Sequence, residues 1–230
     1  MLNQINISTL DFDKGEVFLI DKPYEWTSFD VVKKIRGKLK VKKVGHAGTL
    51  DPLATGLLIV CAGKATKKIN EYQDMGKSYS GTLVLGKTTP SVDLETAFDS
   101  ETDYSHVTSD MVKKAADQLT GDIMQIPPIY SAIKVDGERA YKMARRKEDA
   151  KLDPRPVSVT KFEVDTSALP EVRFEIDCSK GTYIRSLVRD LGEALSCGAY
   201  MSSLCRTAIG HHKLDDAYNL EEFISSLHRD

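Results

Sequence analysis

Apolar residues recur along this chain with two periods. In Glu16–Ile20 (EVFLI) they cluster tightly and predict a strand, closed by the turn-like Asp21-Lys22-Pro23. From Ser28 to Leu39 the period changes. Val31, Ile35 and Leu39 recur every four residues, and Thr27 and Asp30 have capping-box spacing, which predicts a helix. Residues 42–56 are rich in Gly, Pro and Thr and read as a loop. Leu57–Ala62 is apolar without a break and predicts a buried strand; Ser78–Leu85, with partial alternation, predicts another. The polar, acidic segment Lys87–Asp103 reads as a surface loop. A helix is expected over Asp110–Leu119, with Ser109 as N-cap and Gly121 just past its end. Pro127-Pro128 breaks the chain before the strand-like Ile129–Val135, and Arg139–Lys147 reads as a basic helix. Strands are expected over Val157–Val164 and Val172–Asp177. A helix over Thr182–Leu195 puts Ile184, Leu187, Val188, Leu191 and Leu195 on one face, and a last helix covers Leu220–Leu227. Strands and helices mix without a linker or repeat, so the expected architecture is a single α/β or α+β domain with one extended sheet.

Composition narrows the class. The chain has 230 residues, 41% hydrophobic and 29% charged, the balance of a soluble globular protein with a sizeable core. No apolar run reaches the ~18 residues of a membrane helix, and the N-terminus lacks the basic and apolar regions of a signal peptide. Lys plus Arg total 32 against 34 Asp plus Glu, so any nucleic-acid surface must come from local placement of charge. Cys61, Cys178, Cys197 and Cys205 form no C-x-x-C pair and read as reduced, mostly buried thiols of a cytosolic protein, not as a zinc site.

One motif match is misleading. Gly81 through Gly86-Lys87-Thr88 fits the spacing of a phosphate-binding P-loop. The intervening Thr-Leu-Val-Leu prefers strand, and Thr89-Pro90-Ser91 opens no amphipathic helix behind it, so nucleotide hydrolysis is not expected.

The chemistry concentrates in Gly45-His46-Ala47-Gly48-Thr49-Leu50-Asp51-Pro52-Leu53-Ala54-Thr55-Gly56. Glycines permit tight turns, and Pro52 biases Asp51 away from helical backbone. A carboxylate held there and followed by an apolar strand suits a positioned nucleophile. Taken alone, Asp51 reads more simply as the acid of an Asp-Pro turn.

The string as a whole closely resembles the catalytic motif of the TruB family of pseudouridine synthases. The resemblance runs on through Lys77–Gly86, Pro127–Gly137 and Cys178–Leu187 to Leu204-Cys205-Arg206-Thr207, covering roughly residues 16–212 in order. It implies the pseudouridine synthase fold, an extended, mixed, mainly antiparallel sheet flanked by helices and loops. It implies isomerisation of uridine 55 in the T loop of tRNA, a flipped-out base, and no metal or organic cofactor. By the same resemblance Asp51 takes the place of the catalytic aspartate, and Tyr79 that of the tyrosine stacked on the target base. Tyr183 and Arg185 fall in the family's G-T-Y-I-R block, and Leu204 matches a leucine of the uracil pocket. His46 matches a histidine that touches RNA, and Lys22 a lysine near the site. A guanidinium such as Arg185 suits the role of partner to Asp51, since it can hold a carboxylate charged. Without the resemblance Arg185 reads as a solvated charge at a helix start, Tyr79 and Tyr183 as core tyrosines, and Leu204 as any core leucine.

Lys33, Lys34, Arg36, Lys38, Lys40, Lys42 and Lys43 place seven positive charges and no acid between residues 31 and 43, leading into the Asp51 loop. Lys33, Lys34, Arg36, Lys40, Lys42 and Lys43 are therefore candidates for contact with the RNA backbone, with Arg139, Lys142, Arg145, Arg146 and Lys147 as a second stretch. The expected partner is the T stem-loop of tRNA, without a membrane or an obligate protein partner, in the cytoplasm. Many family members carry a C-terminal PUA domain, and none is expected here. Ala47 stands where the family commonly has Thr, and Pro90 interrupts a Thr/Asp-rich stretch. Two rival readings are a guide-RNA-directed synthase of the same superfamily and an RNA-binding module without catalysis.

Overall fold

The computed structural model describes residues 5–135, 137–146, 148 and 152–228. In chain order its main elements are β1 (Glu16–Lys22), α1 (Ser28–Leu39), β2 (Val44–Ala47), β3 (Thr55–Ala62), α2 (Ile69–Asp74) and β4 (Lys77–Leu85). There follow α3 (Ser109–Gln118), β5 (Gly121–Gln125), α4 (Ala140–Arg145), β6 (Arg155–Ala168), β7 (Glu171–Cys178), α5 (Ile184–Ala194), β8 (Ala199–Ile209), β9 (Tyr218–Asn219) and α6 (Leu220–Ser226). The class is mixed α/β with mostly antiparallel strand pairing, as expected. The chain forms two compact units: residues 5–79 with 204–228, and residues 80–203, among those described.

In the first unit, β3 explains the unbroken apolar run. It pairs antiparallel with β1 (Phe18 opposite Val60, Ile20 opposite Leu58) and with β2 (Ala47 opposite Ile59). Successive side chains point to opposite faces. Leu58, Val60 and Ala62 join a core with Val31, Ile35 and Leu39 of α1 and Phe223 of α6. Leu57, Ile59 and Cys61 join a second cluster with Ala47 and Ile209. Both faces are covered, so neither can be polar. The predicted cap of α1 is present: Thr27 Oγ1 accepts from the Asp30 N–H and Asp30 accepts from the Thr27 N–H. Lys40 ends the helix in the left-handed region with φ 54°.

In the second unit, β7 pairs antiparallel with β6, which pairs antiparallel with β5. Val157, Val159 and Phe162 of β6 and Val172, Phe174 and Ile176 of β7 are buried, with Phe162 and Phe174 meeting edge to face at 6.4 Å. Leu187, Val188 and Leu191 bury the apolar face of α5, as its periodicity predicts.

Several expectations need correction. Residues 42–56 are not all loop, because β2 lies within them and pairs with β3. Lys87–Asp103 is not a plain surface loop: Thr89, Ser91 and Asp93 are buried, and Lys87–Thr88 pairs with Ser100–Glu101. The cap of α3 is Thr108, whose hydroxyl accepts from the Met111 N–H, one residue before the expected Ser109. In Ile129–Val135 only Lys134–Val135 is strand. The helix expected over Arg139–Lys147 is the shorter α4, and Lys147, like Asp136, lies outside the described residues. The P-loop match fails as expected, since Gly81–Leu85 lies inside β4 and no helix follows directly.

Candidate active site

The loop between β2 and β3 carries Asp51, and four ties hold its backbone. Gly48 has φ +83°, a conformation glycine reaches without strain, and its carbonyl accepts from Arg206 Nη2 at 3.0 Å. The Leu50 N–H donates to Ser28 Oγ at 2.9 Å, and that hydroxyl donates back to the Leu50 carbonyl at 3.3 Å. The Pro52 carbonyl accepts from Lys22 Nζ at 3.1 Å. The Gly56 N–H donates to Asp21 Oδ1 at 3.1 Å. Within the loop, the Ala54 N–H donates to the Asp51 carbonyl at 3.1 Å, a short turn. The half-buried Asp51 side chain thus stands on a backbone fixed on both sides.

Two buried cations lie under this loop. Lys22, at the end of β1, is 0% exposed and donates also to the carbonyls of Pro23 (2.9 Å) and Trp26 (2.5 Å). Burial pushes its pKa down to about 8; the Asp51 carboxylate opposes this, and Arg206 adds to it. Arg206, on β8, is 1% exposed and donates through Nε to the Leu57 carbonyl at 2.8 Å. Burial lowers its pKa from the ordinary value, while Tyr79, whose hydroxyl hydrogen-bonds the guanidinium, holds it up. β8 runs parallel to β3 here, with Arg206 opposite Gly56. Gly56 has φ +99°, and a Cβ there would press into the backbone of Arg206.

The other expected residues of the first unit fall around the same framework. His46 lies on β2, half-buried, with no hydrogen-bond partner for Nδ1 among the described residues. Burial and the Arg206 charge lower its pKa, against the backbone at Gly48, which favours a neutral imidazole at physiological pH. Leu204 is buried on β8, and its carbonyl accepts from Thr55 Oγ1 at 3.4 Å. Tyr79 is half-buried on β4. Lys33, Lys34, Arg36, Lys40, Lys42 and Lys43 are all exposed, and among the described residues none of them forms an ion pair.

Tyr183 and Arg185 belong to the second unit. Tyr183 is the N-cap of α5; its N–H donates to Gln125 Oε1 (2.8 Å) and its carbonyl accepts from Gln125 Nε2 (3.1 Å). Arg185 is buried, not solvated. Its guanidinium donates to the carbonyls of Ser91 (3.0 Å) and Tyr130 (2.8 Å), with Nε 3.7 Å from Asp93. The second basic stretch is largely paired: Arg145 with Glu95, and Arg146 with Glu138 and Glu148. These in-chain partners compete with phosphate.

Sequence reasoning missed Arg206, Ser28, Asp93 and Gln125 as site-building residues. The motif Leu204-Cys205-Arg206-Thr207 was in view, and only the burial of Arg206 reveals its task. Ser28 reads from sequence as nothing more than the start of a helix.

A carboxylate on an anchored loop over Lys22 and Arg206, with Tyr79 bonded to that same Arg206, is an arrangement suited to nucleophilic chemistry. The match to known proteins is direct. Residues 36–184 match the model of the TruB family pseudouridylate synthase N-terminal domain, and residues 185–229 that of the tRNA pseudouridylate synthase B C-terminal domain. The chain is 50% identical over 220 residues to the tRNA pseudouridine synthase B of Phocaeicola vulgatus, covering 93% of this chain and 94% of that protein. It is 46% identical to that of Flavobacterium johnsoniae, covering 94% and 98%. It is 42% identical to that of Chlorobaculum tepidum, covering 100% and 97%. A solved chain described as a Cbf5-Nop10-Gar1 complex matches with TM-score 0.70 and 30% identity over 93% of this chain. This chain spans 54% of that one. The chain belongs to the TruB family of tRNA pseudouridine synthases, which are isomerases.

Proposed function

We propose that this chain converts uridine 55 in the T loop of tRNA to pseudouridine, acting on a flipped-out base with Asp51 as nucleophile. The observation that carries this reading is the anchoring of the Asp51 loop at Gly48, Leu50, Pro52 and Gly56 over the buried cations Lys22 and Arg206. A nucleophile must meet its reacting atom within a fraction of an ångström, and a fixed backbone with charge beneath it supplies that.

The reaction breaks the bond from ribose C1′ to N1 of uracil, turns the base, joins C1′ to C5, and moves the C5 proton, with no net redox change. Asp51 serves by adding to C6, by attacking C1′, or by assisting formation of a glycal; all three need an ionised carboxylate. Arg185, in the family's G-T-Y-I-R block, is the candidate partner of that carboxylate, because a guanidinium can hold a carboxylate through two parallel bonds. Tyr79 offers its ring as a stacking face worth about 1–3 kcal/mol and its hydroxyl as acceptor for the migrating proton. Arg206 orients that hydroxyl. Leu204 forms an apolar wall for uracil, Tyr183 packs at the site, and His46 touches the RNA as a neutral donor or acceptor. The exposed cations Lys33, Lys34, Arg36, Lys40, Lys42 and Lys43 meet phosphates of the T stem-loop.

The enzyme works in the cytoplasm, with its catalytic core at about 16–212 and without an obligate protein partner. Among the described residues no helix is long and apolar enough to cross a membrane. The test is incubation of unmodified tRNA transcripts with purified protein, then mapping of pseudouridine at nucleotide resolution. Conversion confined to uridine 55 is expected. No conversion, or conversion only after a guide RNA is added, would overturn the proposal.

A further inference from the structure

The first turn of α1 carries an aromatic side chain that the mechanism above does not use. Phe29 is 61% exposed, although the helix has an apolar core face close by. Trp26, three residues earlier, packs against that core, while Phe29 does not. Single exposed apolar residues are ordinary. Two features set this one apart. The adjacent residue Ser28 is the one whose hydroxyl clamps Leu50, next to Asp51, so Phe29 is fixed beside the catalytic loop. On a helix, residues three, four and seven apart share a face, so Phe29 leads directly into Lys33 and Arg36, and the same line continues to Lys40 at the C-cap. All three cations are exposed and lack ion pairs among the described residues. Asp30, the one acid on this helix, is engaged in the capping box.

An exposed aromatic face followed by a line of cations fits one kind of partner: a strand of RNA, with a base on the ring and phosphates along the charges. A protein partner would be expected to meet a broader apolar patch. We propose that Phe29 stacks on an unpaired RNA base near the target uridine and that Lys33, Arg36 and Lys40 carry the adjoining backbone. The inference rests on the function proposed above and names an RNA-contacting residue for it.

The test is tRNA binding by Phe29→Ala, Phe29→Leu and Phe29→Trp proteins over a range of salt, with thermal melting to confirm folding. Alanine and leucine are expected to weaken binding about 5- to 150-fold, and tryptophan to restore it, because stacking needs a π face. The slope of log K against log salt should be unchanged in Phe29→Ala and shallower by about 1 in Arg36→Gln, since only the latter releases fewer counterions. Binding by Phe29→Ala within twofold of the unaltered protein would overturn the inference. So would rescue by leucine equal to that by tryptophan, which would indicate a general apolar contact. Failure of the unaltered protein to form pseudouridine would instead refute the function itself.

Discussion

Replacing Lys22 with methionine tests whether a buried ammonium underlies the Asp51 loop. Lys22 is fully buried and its pKa falls from 10.5 to about 8, mainly through desolvation. Folding therefore penalises the protonated form. Below about pH 8 the folded and unfolded chains both hold the proton, and the penalty is complete. Between about 8 and 10.5 the unfolded chain holds the proton and the folded chain releases it, so stability rises with pH. At about 1.4 kcal/mol for each tenfold change in the protonation equilibrium, the rise across this window is roughly 3 kcal/mol. Methionine does not titrate, so the variant lacks the rise. Burial pushes Cys61 up to about 11, which makes stability fall as pH climbs past its ordinary value of 9. That loss is common to both proteins and cancels in their difference. Urea unfolding from pH 7 to 10 measures the two curves. They should converge or diverge by a kcal/mol or more above pH 8, always in the direction of a gain for the lysine protein. Parallel curves would refute the argument. At pH 7 the variant also leaves the carbonyls of Pro23, Trp26 and Pro52 without their donor, about 1–3 kcal/mol for each that stays dry. The relieved desolvation of the ammonium offsets part of this. Pseudouridine formation should fall with the loosened loop.

Arg206→Lys keeps the charge and loses the planar fork, so the Leu57 or the Gly48 carbonyl goes without a donor. It should lose about 1–3 kcal/mol in denaturant unfolding and turn over more slowly; unchanged stability would show that Arg206 is not holding the loop. Gly56→Ala should be worse tolerated than its size suggests, because the φ of +99° and the Arg206 backbone both oppose a Cβ. A melting temperature equal to that of the unaltered protein would contradict this. Tyr79→Phe should lose turnover more than tRNA binding, and equal rates would leave the ring only a stacking role.

The elements read most easily from sequence were those whose pattern has one cause. The capping box of Thr27 and Asp30, the apolar face of α5 and the run Leu57–Ala62 each reflect a single packing demand, and each is found in the structure. β8 escaped notice because its buried positions change phase: Ala199 and Met201 alternate, then Leu204 and Arg206 take up the opposite parity. β2 escaped because its glycine-containing sequence, Val44-Gly45-His46-Ala47, is weak as a local strand and is set by pairing with β3. At the site, Asp51 and Tyr79 were visible through family resemblance. So was Lys22, as a lysine near the site, but the supports Arg206 and Asp93 were not, because buried polar residues are spelled like surface ones. Only burial and hydrogen-bond partners distinguish a charge that steadies a loop from one that faces water.

The proposed reaction turns on the carboxylate of residue 51. Asp51→Asn removes its charge while leaving a side chain of nearly the same shape on the same anchored backbone. Incubated with unmodified tRNA and mapped at nucleotide resolution, this variant should bind the RNA nearly as tightly as the unaltered protein and leave uridine 55 unconverted. Pseudouridine appearing there at a comparable rate would contradict the account.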